Sequence, residues 1–217
     1  MKCEFCEKAY ETFINHELIN NGIIVYIPSQ QQENNLGYDV CLCGKRFQIC
    51  CMQYKTAEFV KSRRAFWKGQ QIFKFTTLKD SKTQTFKQHN LLVFLNNLGI
   101  CSVYCAPLFI KNSDLYNFLT SNTLVKNSAL LKPIHSLFNP PNTHSIEFNS
   151  YQAYQFCKNS EALEIINFNE LFTGSKWYSE EELLNVLKQI LQEDGESLTS
   201  ILAKNKMILL LKFNNAN

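Results

Sequence analysis

Two short strand-like segments joined by a tight turn constrain the fold of this chain more than any other feature. Residues 38–43 and residues 47–55 are rich in apolar side chains suited to strands, and Gly44 lies at the turn between them. A β-branched run at residues 23–27 predicts one more strand just before them. Residues 4–20, which precede this run, have apolar side chains near a 3.6-residue period. We therefore expect a helix followed by a three-stranded antiparallel meander.

A helix that leads directly into an apolar strand follows farther along the chain. Residues 83–98 form an amphipathic pattern closed by Gly99, and residues 100–109 read as a buried strand. This succession is typical of a crossover connection, so we expect the strand to lie parallel to a neighbour. Between the meander and this unit, residues 56–69 predict a helix and residues 70–78 a strand. The predicted class is α/β, with a mixed sheet flanked by helices.

The second half of the chain predicts a mostly helical elaboration of that core. Residues 113–121 indicate a short helix, and residues 144–148 indicate a strand. Ser179 and Glu182 form a capping box that opens a helix over residues 179–192.

Length and composition favour a packed core. The chain has 217 residues, of which 45% are hydrophobic and 13% aromatic, so we expect a packed core rather than general disorder. We divide it into a core, residues 1–112, and an elaboration, residues 113–217. The proline pair at residues 140–141 is an alternative boundary, and a single domain is a third interpretation.

No feature of the sequence directs the chain to a membrane or to an oxidising compartment. The N-terminal residues 1–10 lack the apolar stretch of a secretory signal, and no run of 18 apolar residues occurs. The nine cysteines are interpreted as reduced and mostly buried, which predicts a cytoplasmic protein. With 22 basic and 19 acidic residues, the net charge of +3 permits nucleic-acid binding without arguing for it.

Three polar side chains are predicted to converge at the open end of the hairpin. Asp39 begins one strand, while Gln53 and Lys55 end its antiparallel partner, and alternation places them on one face. Carboxylate and amide oxygens suit Mg²⁺ or Mn²⁺, and a lysine can position or deprotonate an attacking water. Glu33, in the loop before Asp39, or Glu17, on the first helix, can supply a second carboxylate. The trio suits hydrolysis of a phosphodiester bond.

This arrangement resembles the PD-(D/E)XK nuclease superfamily, and its Gln-x-Lys variant is similar to the Mrr-type restriction endonuclease branch. The resemblance covers roughly residues 1–110 and rests on Asp39, Gln53, Lys55 and the order helix–strand–strand–strand–helix–strand. It implies a restriction-endonuclease-like core and a Mg²⁺- or Mn²⁺-dependent endonuclease acting on DNA in restriction or phage defence. It also implies a metal held by Asp39, Gln53 and Glu33, with Lys55 as the catalytic lysine, in a homodimer or with a partner protein.

The sequence departs from the family pattern at two positions. Tyr38 stands where the motif has proline, and Gln53 replaces the usual acid. The second departure lowers the charge of the site and leads to an alternative, a catalytically inactive nuclease-fold protein that binds nucleic acid or a partner protein. A third interpretation is that these polar residues only end their strands.

Basic residues close to the hairpin form a candidate nucleic-acid surface. Side chains of this kind neutralise phosphates while interleaved aromatic rings stack or pack, although a solvated helix face is the other interpretation. Gln88 and His89 are further candidates, because in the resembled fold their helix flanks the site. A satisfied helix face is the alternative for these two. The basic residues are Lys61, Arg63, Arg64 and Lys68, with Phe66 and Trp67 among them.

The cysteines raise two other possibilities, which the sequence argues against. Cys3 and Cys6 with Cys41 and Cys43 supply four thiols for a structural zinc, but their spacing is not that of a zinc knuckle and two of them face the core. A nucleophilic role for Cys101 is disfavoured because this residue lies in an apolar strand, where packing is the expected role.

Overall fold

The computed structural model describes residues 1–28, 38–43, 49–62, 64–77, 87–97, 99–134, 144–156 and 160–171. These residues all belong to one compact unit, Met1–Ser175. Lys176–Asn217 form a second unit, which lies outside the described residues.

Within the described ranges the chain forms three α-helices and ten strands. The helices are α1 (Glu7–Asn20), α2 (Lys87–Asn97) and α3 (Asn112–Thr120). None of these described helices is both long enough and apolar enough to cross a membrane. Short 3-10 helices occur at Ala65–Trp67 and Phe168–Glu170. The strands are β1 (Ile24–Tyr26), β2 (Val40–Cys43), β3 (Ile49–Tyr54), β4 (Glu58–Lys61), β5 (Gln71–Thr77), β6 (Cys101–Pro107), β7 (Ser128–Lys132), β8 (His144–Phe148), β9 (Ala153–Phe156) and β10 (Ser160–Ile166).

The ten strands form one mixed sheet in the order β1-β2-β3-β6-β7-β10-β9-β8-β5-β4. All the pairings described are antiparallel except that of β3 with β6. Strand β10 serves both halves of the sheet, because residues 160–163 pair with β9 and residues 164–166 pair with β7. The first half therefore carries the predicted meander, and the second half is an antiparallel extension.

The predicted meander and crossover are both confirmed. Strands β1, β2 and β3 pair antiparallel in sequence order, with Cys41 opposite Cys51. Helix α2 leads into β6, which lies parallel to β3 and places Tyr104 beside Gln53. The α/β class with a mixed sheet and flanking helices is likewise confirmed.

Helix α1 covers one face of the meander with side chains at helical spacing. Tyr10, Ile14 and Leu18 recur every four residues and are fully buried, which is the stripe expected of a helix packed on a sheet. They join one apolar cluster with strand residues that alternate along β2, β3 and β6, because alternate side chains share a face. Those strand residues are Val40, Leu42, Cys50, Met52, Tyr54, Val103 and Cys105.

The prediction of a helix over residues 56–69 is wrong. The chain instead forms strand β4, followed by the 3-10 helix. Phe59 lies opposite Phe73 of β5, with ring centroids 5.0 Å apart, and Phe59 also exchanges backbone hydrogen bonds with Met1. Pairing with distant parts of the chain thus outweighs a weak local preference for helix.

The described part of residues 113–171 is mainly strand rather than helix. Helix α3 and strand β8 confirm two predictions, whereas β7, β9 and β10 were not foreseen. Strand β7 pairs with β6, so the sheet continues across the boundary predicted after residue 112. The helix predicted over residues 179–192 lies outside the described residues.

Candidate active site at the end of the β2–β3 hairpin

Asp39 and Gln53 are in direct contact where β2 and β3 meet. Val40 lies opposite Met52, so the preceding residue, Asp39, lies opposite Gln53. The Gln53 side-chain amide donates to both carboxylate oxygens of Asp39 over 2.8 Å, and the backbone N–H of Tyr54 donates to Oδ2 over 2.6 Å. Asp39 is 8% exposed and Gln53 2%. The charge of Asp39 is therefore held inside the protein by directed hydrogen bonds, as a buried carboxylate requires.

The amide oxygen of Gln53 is buried and has no hydrogen-bond partner among the described residues. Burial of an unsatisfied polar atom costs about 1–3 kcal/mol, so its presence calls for an explanation. A half-turn of the terminal amide exchanges Oε1 with Nε2 and brings the oxygen to 2.8 Å from the Asp39 carboxylate. Neighbouring oxygens around an octahedral Mg²⁺ with bonds of about 2.1 Å are roughly 3 Å apart. In that orientation the two oxygens would have a spacing suited to a small hard cation, whereas in the structure the amide nitrogen faces the carboxylate.

Lys55 lies just beyond β3 and faces the start of α1. Its ammonium is 3.8 Å from one carboxylate oxygen of Glu7, and the other oxygen accepts the backbone N–H of Thr56 over 3.1 Å. The backbone N–H of Lys55 donates to the carbonyl of Cys105 over 3.0 Å, which fixes the chain at this point. Sequence reasoning missed Glu7. The available signal was its place in the first turn of a helix that covers the meander.

The sequence predicts Glu17 or Glu33 as the second carboxylate of the site, and the structure describes only Glu17. Glu17 accepts the backbone N–H groups of Leu124 and Val125 over 2.6 and 3.2 Å, so it holds a turn of the chain. It lies ten residues after Glu7 on α1, about 15 Å along the helix axis. Glu17 is therefore not part of the site, which corrects that expectation. Glu33 lies outside the described residues.

A buried polar network lies on the same face of the sheet as Gln53. The Tyr104 hydroxyl and His89 Nδ1 are 3.0 Å apart, and the His89 ring lies 5.2 Å from that of His144, centroid to centroid. Burial raises the pKa of Tyr104, while burial and then the neighbouring His89 lower the pKa of His144 to about 3. Both Tyr104 and His144 are therefore neutral near pH 7.

The predicted nucleic-acid contacts are divided between surface and interior. Lys61, Lys68 and Gln88 are exposed, so these side chains are accessible to a large ligand. His89 is only 1% exposed, and its prediction as a phosphate contact is wrong because Tyr104 and the sheet enclose it. Arg63 lies outside the described residues.

Part of the Arg64 side chain contacts residues in the second half of the sheet. Its Nε donates to the buried carboxylate of Glu147 over 3.0 Å, and its guanidinium lies 3.9 Å from the ring centroid of Phe156. Lys74 shares the same carboxylate at 3.8 Å. Arg64 thus stabilises this region, with 44% of its side chain remaining exposed.

The cysteines whose side chains the structure describes are free thiols, namely Cys3, Cys6, Cys41, Cys50, Cys51, Cys101 and Cys105. In those ranges, histidine, cysteine and acidic side chains do not come together in groups of three or more suited to a metal. Cys3 donates to the carbonyl of Ala57 over 3.1 Å, and Cys41 lies opposite Cys51.

No protein-family model, curated protein or solved structure matches the chain. A functional proposal therefore depends on the geometry of the chain and on the chemistry of its side chains.

Proposed function

We propose that the protein is a divalent-metal-dependent nuclease that hydrolyses DNA phosphodiester bonds in the cytoplasm, in restriction or phage defence. The observation that carries the proposal is the contact of Asp39 with Gln53, with Lys55 two residues farther along the chain. The order α1-β1-β2-β3-α2-β6, with β6 parallel to β3, supports it, because this is the order expected of a PD-(D/E)XK core. The hairpin β4–β5 is then an insertion between β3 and α2.

Asp39 and Gln53 would hold a Mg²⁺ or Mn²⁺ ion through one carboxylate oxygen and the amide oxygen. Such ions keep several waters and need few protein ligands, so a site with one or two carboxylates is sufficient. When bound, the ion supplies an acidified water and offsets the negative charge of the phosphate. The backbone N–H of Tyr54 keeps the Asp39 carboxylate oriented through its bond to Oδ2.

Lys55 would position the attacking water and stabilise the charge that develops on the phosphoryl oxygens. Glu7 orients the Lys55 ammonium through the ion pair at 3.8 Å, and only 17% of the Lys55 side chain is exposed. Glu7 thus acts on Lys55 from α1, while Glu17 holds a turn elsewhere.

Cleavage of supercoiled plasmid in the presence of Mg²⁺ or Mn²⁺ tests the proposal. We expect Asp39→Asn and Lys55→Met to lower the cleavage rate at least about 100-fold, since each removes a group that acts on the reacting phosphate. Lys126→Met, at an exposed lysine in the turn before β7, is the matched control and should cleave like the wild type. Equal cleavage by the wild type and by both site variants would falsify the assignment.

Two further variants test the individual roles. Gln53→Glu restores the usual acid of the motif and should raise the apparent affinity for the metal ion, read from the Mg²⁺ concentration at half-maximal cleavage. Glu7→Gln removes the charge that faces Lys55 and should reduce the rate with little change in that concentration, if Glu7 acts mainly on Lys55. A rate for Glu7→Gln equal to that of the wild type would remove Glu7 from the site.

One observation favours a second candidate function. The Gln53 amide and the Tyr54 N–H both donate to the Asp39 carboxylate, so hydrogen bonds from the protein can hold this carboxylate and the fold can be retained without catalysis. The protein would then be a catalytically inactive nuclease-fold protein. It would bind nucleic acid or a partner protein alone, as a homodimer or within a defence complex. A gel shift with DNA that is positive while cleavage is absent with both metals would select this candidate. Replacing Lys61 and Lys68 should then weaken binding and reduce its salt dependence.

A further inference from the structure

Cys50 and Cys101 are directly paired on the two parallel strands of the sheet. They are partners in the register of β3 and β6, and both lie on the face that α1 covers. Neighbouring strands are about 4.8 Å apart, which falls within the separation of about 4.4–6.8 Å between Cα atoms that a disulfide spans. The backbone therefore already holds the two residues at a distance that a disulfide can bridge.

The two thiols have unequal environments. Cys50 is fully buried, whereas Cys101 is partly exposed and lines a cavity of about 250 Å³ together with Lys132, Glu164 and Glu170. Lys132 pairs with Glu164 over 3.0 Å at this cavity. Cys101 thus packs against the apolar cluster, as expected, and also lines a cavity with charged side chains, which was not expected.

The charges around the cavity and the thiol contact favour the thiolate of Cys101 over that of Cys50. The Cys50 thiol donates a hydrogen bond to the Cys101 sulfur, which lowers the pKa of Cys101, and Lys132 lowers it further against the opposing effects of burial and Glu164. Burial is the main cause that raises the pKa of Cys50. An accessible thiolate next to a buried protonated thiol is the arrangement of an attacking and a resolving cysteine.

We propose that Cys101 is a peroxide-reactive thiol and that Cys50 is its resolving partner, so that oxidation joins β3 to β6. The Cys101 thiolate attacks one oxygen of hydrogen peroxide, the O–O bond breaks, and hydroxide leaves to become water as it takes a proton. The resulting sulfenic acid is attacked by the sulfur of Cys50. The S–O bond then breaks, and the hydroxide takes the Cys50 proton to leave as a second water. Two thiols are oxidised to one disulfide and one peroxide is reduced to two waters.

Peptide mapping of the native full-length protein after treatment with stoichiometric hydrogen peroxide tests the proposal. We expect a disulfide-linked pair of tryptic peptides, residues 47–55 and residues 88–111, with fragment ions that assign the link to Cys50 rather than Cys51. In Cys50→Ser the sulfenic acid should persist on Cys101 and be trapped by dimedone. In Cys101→Ser neither product should form. Cys6→Ser, at an exposed thiol, is the matched control and should give the wild-type link.

Alkylation rates supply a second measurement that needs no cysteine variant. At pH 7 the native protein should be alkylated by iodoacetamide at Cys101 at least about tenfold faster than at Cys50, and Lys132→Gln should slow the reaction at Cys101. A peroxide-induced link between Cys41 and Cys51 in place of Cys50 and Cys101 would overturn the proposal. So would a Cys101 that stays reduced while other thiols are oxidised.

Discussion

The two faces of the sheet around strand β3 differ in the side chains that they bury. The face under α1 is apolar and closely packed, with Leu42 and Met52 fully buried among the aromatic and aliphatic side chains of the helix. The face toward α2 is equally buried but carries Asp39, Gln53 and Tyr104. The first face is stabilised mainly by the removal of apolar surface from water, with a few hydrogen bonds such as that of Tyr54 with Asn15, and the second mainly by directed hydrogen bonds.

This difference explains how one hairpin can provide both stability and a reactive site. Apolar packing depends on shape and buried area, whereas a buried carboxylate needs each of its hydrogen-bond partners in place. A helix on the apolar side therefore fixes the strands, and the strands hold Asp39 and Gln53 opposite each other. The following predictions test this division, beginning with the face from which we expect the largest loss of stability.

Removal of a side chain from the apolar face should have the largest effect. Leu42→Ala leaves a cavity beneath α1 and is expected to lower the free energy of unfolding by about 2–5 kcal/mol. Guanidinium denaturation followed by tryptophan fluorescence measures this loss. Ile19→Ala, at an exposed position of the same helix, is the control and should change the value by no more than about 0.5 kcal/mol. A loss below about 1 kcal/mol for Leu42→Ala would contradict the division between the faces.

On the polar face, Asp39→Asn should have a smaller effect on stability. The amide keeps one oxygen for the N–H of Tyr54 but removes the charge that strengthens the bonds from Gln53, so we expect a loss of about 1–3 kcal/mol. The same denaturation experiment measures it, with Asp114→Asn in the first turn of α3 as the control. No loss for Asp39→Asn would mean that the buried carboxylate contributes nothing to the fold.

The lowered pKa of His144, in the polar network, predicts that stability depends on pH. Because burial and then His89 lower the pKa of His144 to about 3, below the value of about 6.5 in the unfolded chain, the unfolded state binds one more proton between these values. Stability therefore falls as the pH falls, by about 2 kcal/mol between pH 7 and pH 5 from this residue. His144→Gln should show a shallower decline by that amount in denaturation curves at the two pH values. Equal declines in both proteins would show that the pKa of His144 is the same in the folded and unfolded states.

The contacts that the sequence could predict are the local ones, and those it could not predict involve distant parts of the chain. The alternation of side chains along the strands and the single turn between them are local signals. From these signals the contact of Asp39 with Gln53 was predicted correctly. Helix α2 was also predicted, but the burial of His89 depends on Tyr104 and on the distant strand β8, which no local pattern reveals. The strand β4 was mistaken for a helix for the same reason, since its pairing with β5 and with the N-terminus is non-local.

The smallest loss of stability is expected when the Tyr54 hydroxyl, which lies under α1, is removed. Tyr54 alternates onto the apolar face, where its hydroxyl donates to the side-chain oxygen of Asn15 over 2.6 Å. Tyr54→Phe keeps the packing and removes this bond, so the free energy of unfolding should fall by about 1 kcal/mol, less than for Leu42→Ala. The double variant with Asn15→Ala should restore part of the loss, because the unsatisfied oxygen is then removed as well. A loss as large as that of Leu42→Ala would mean that the face under α1 also depends on directed hydrogen bonds, and the contrast between the two faces would fail.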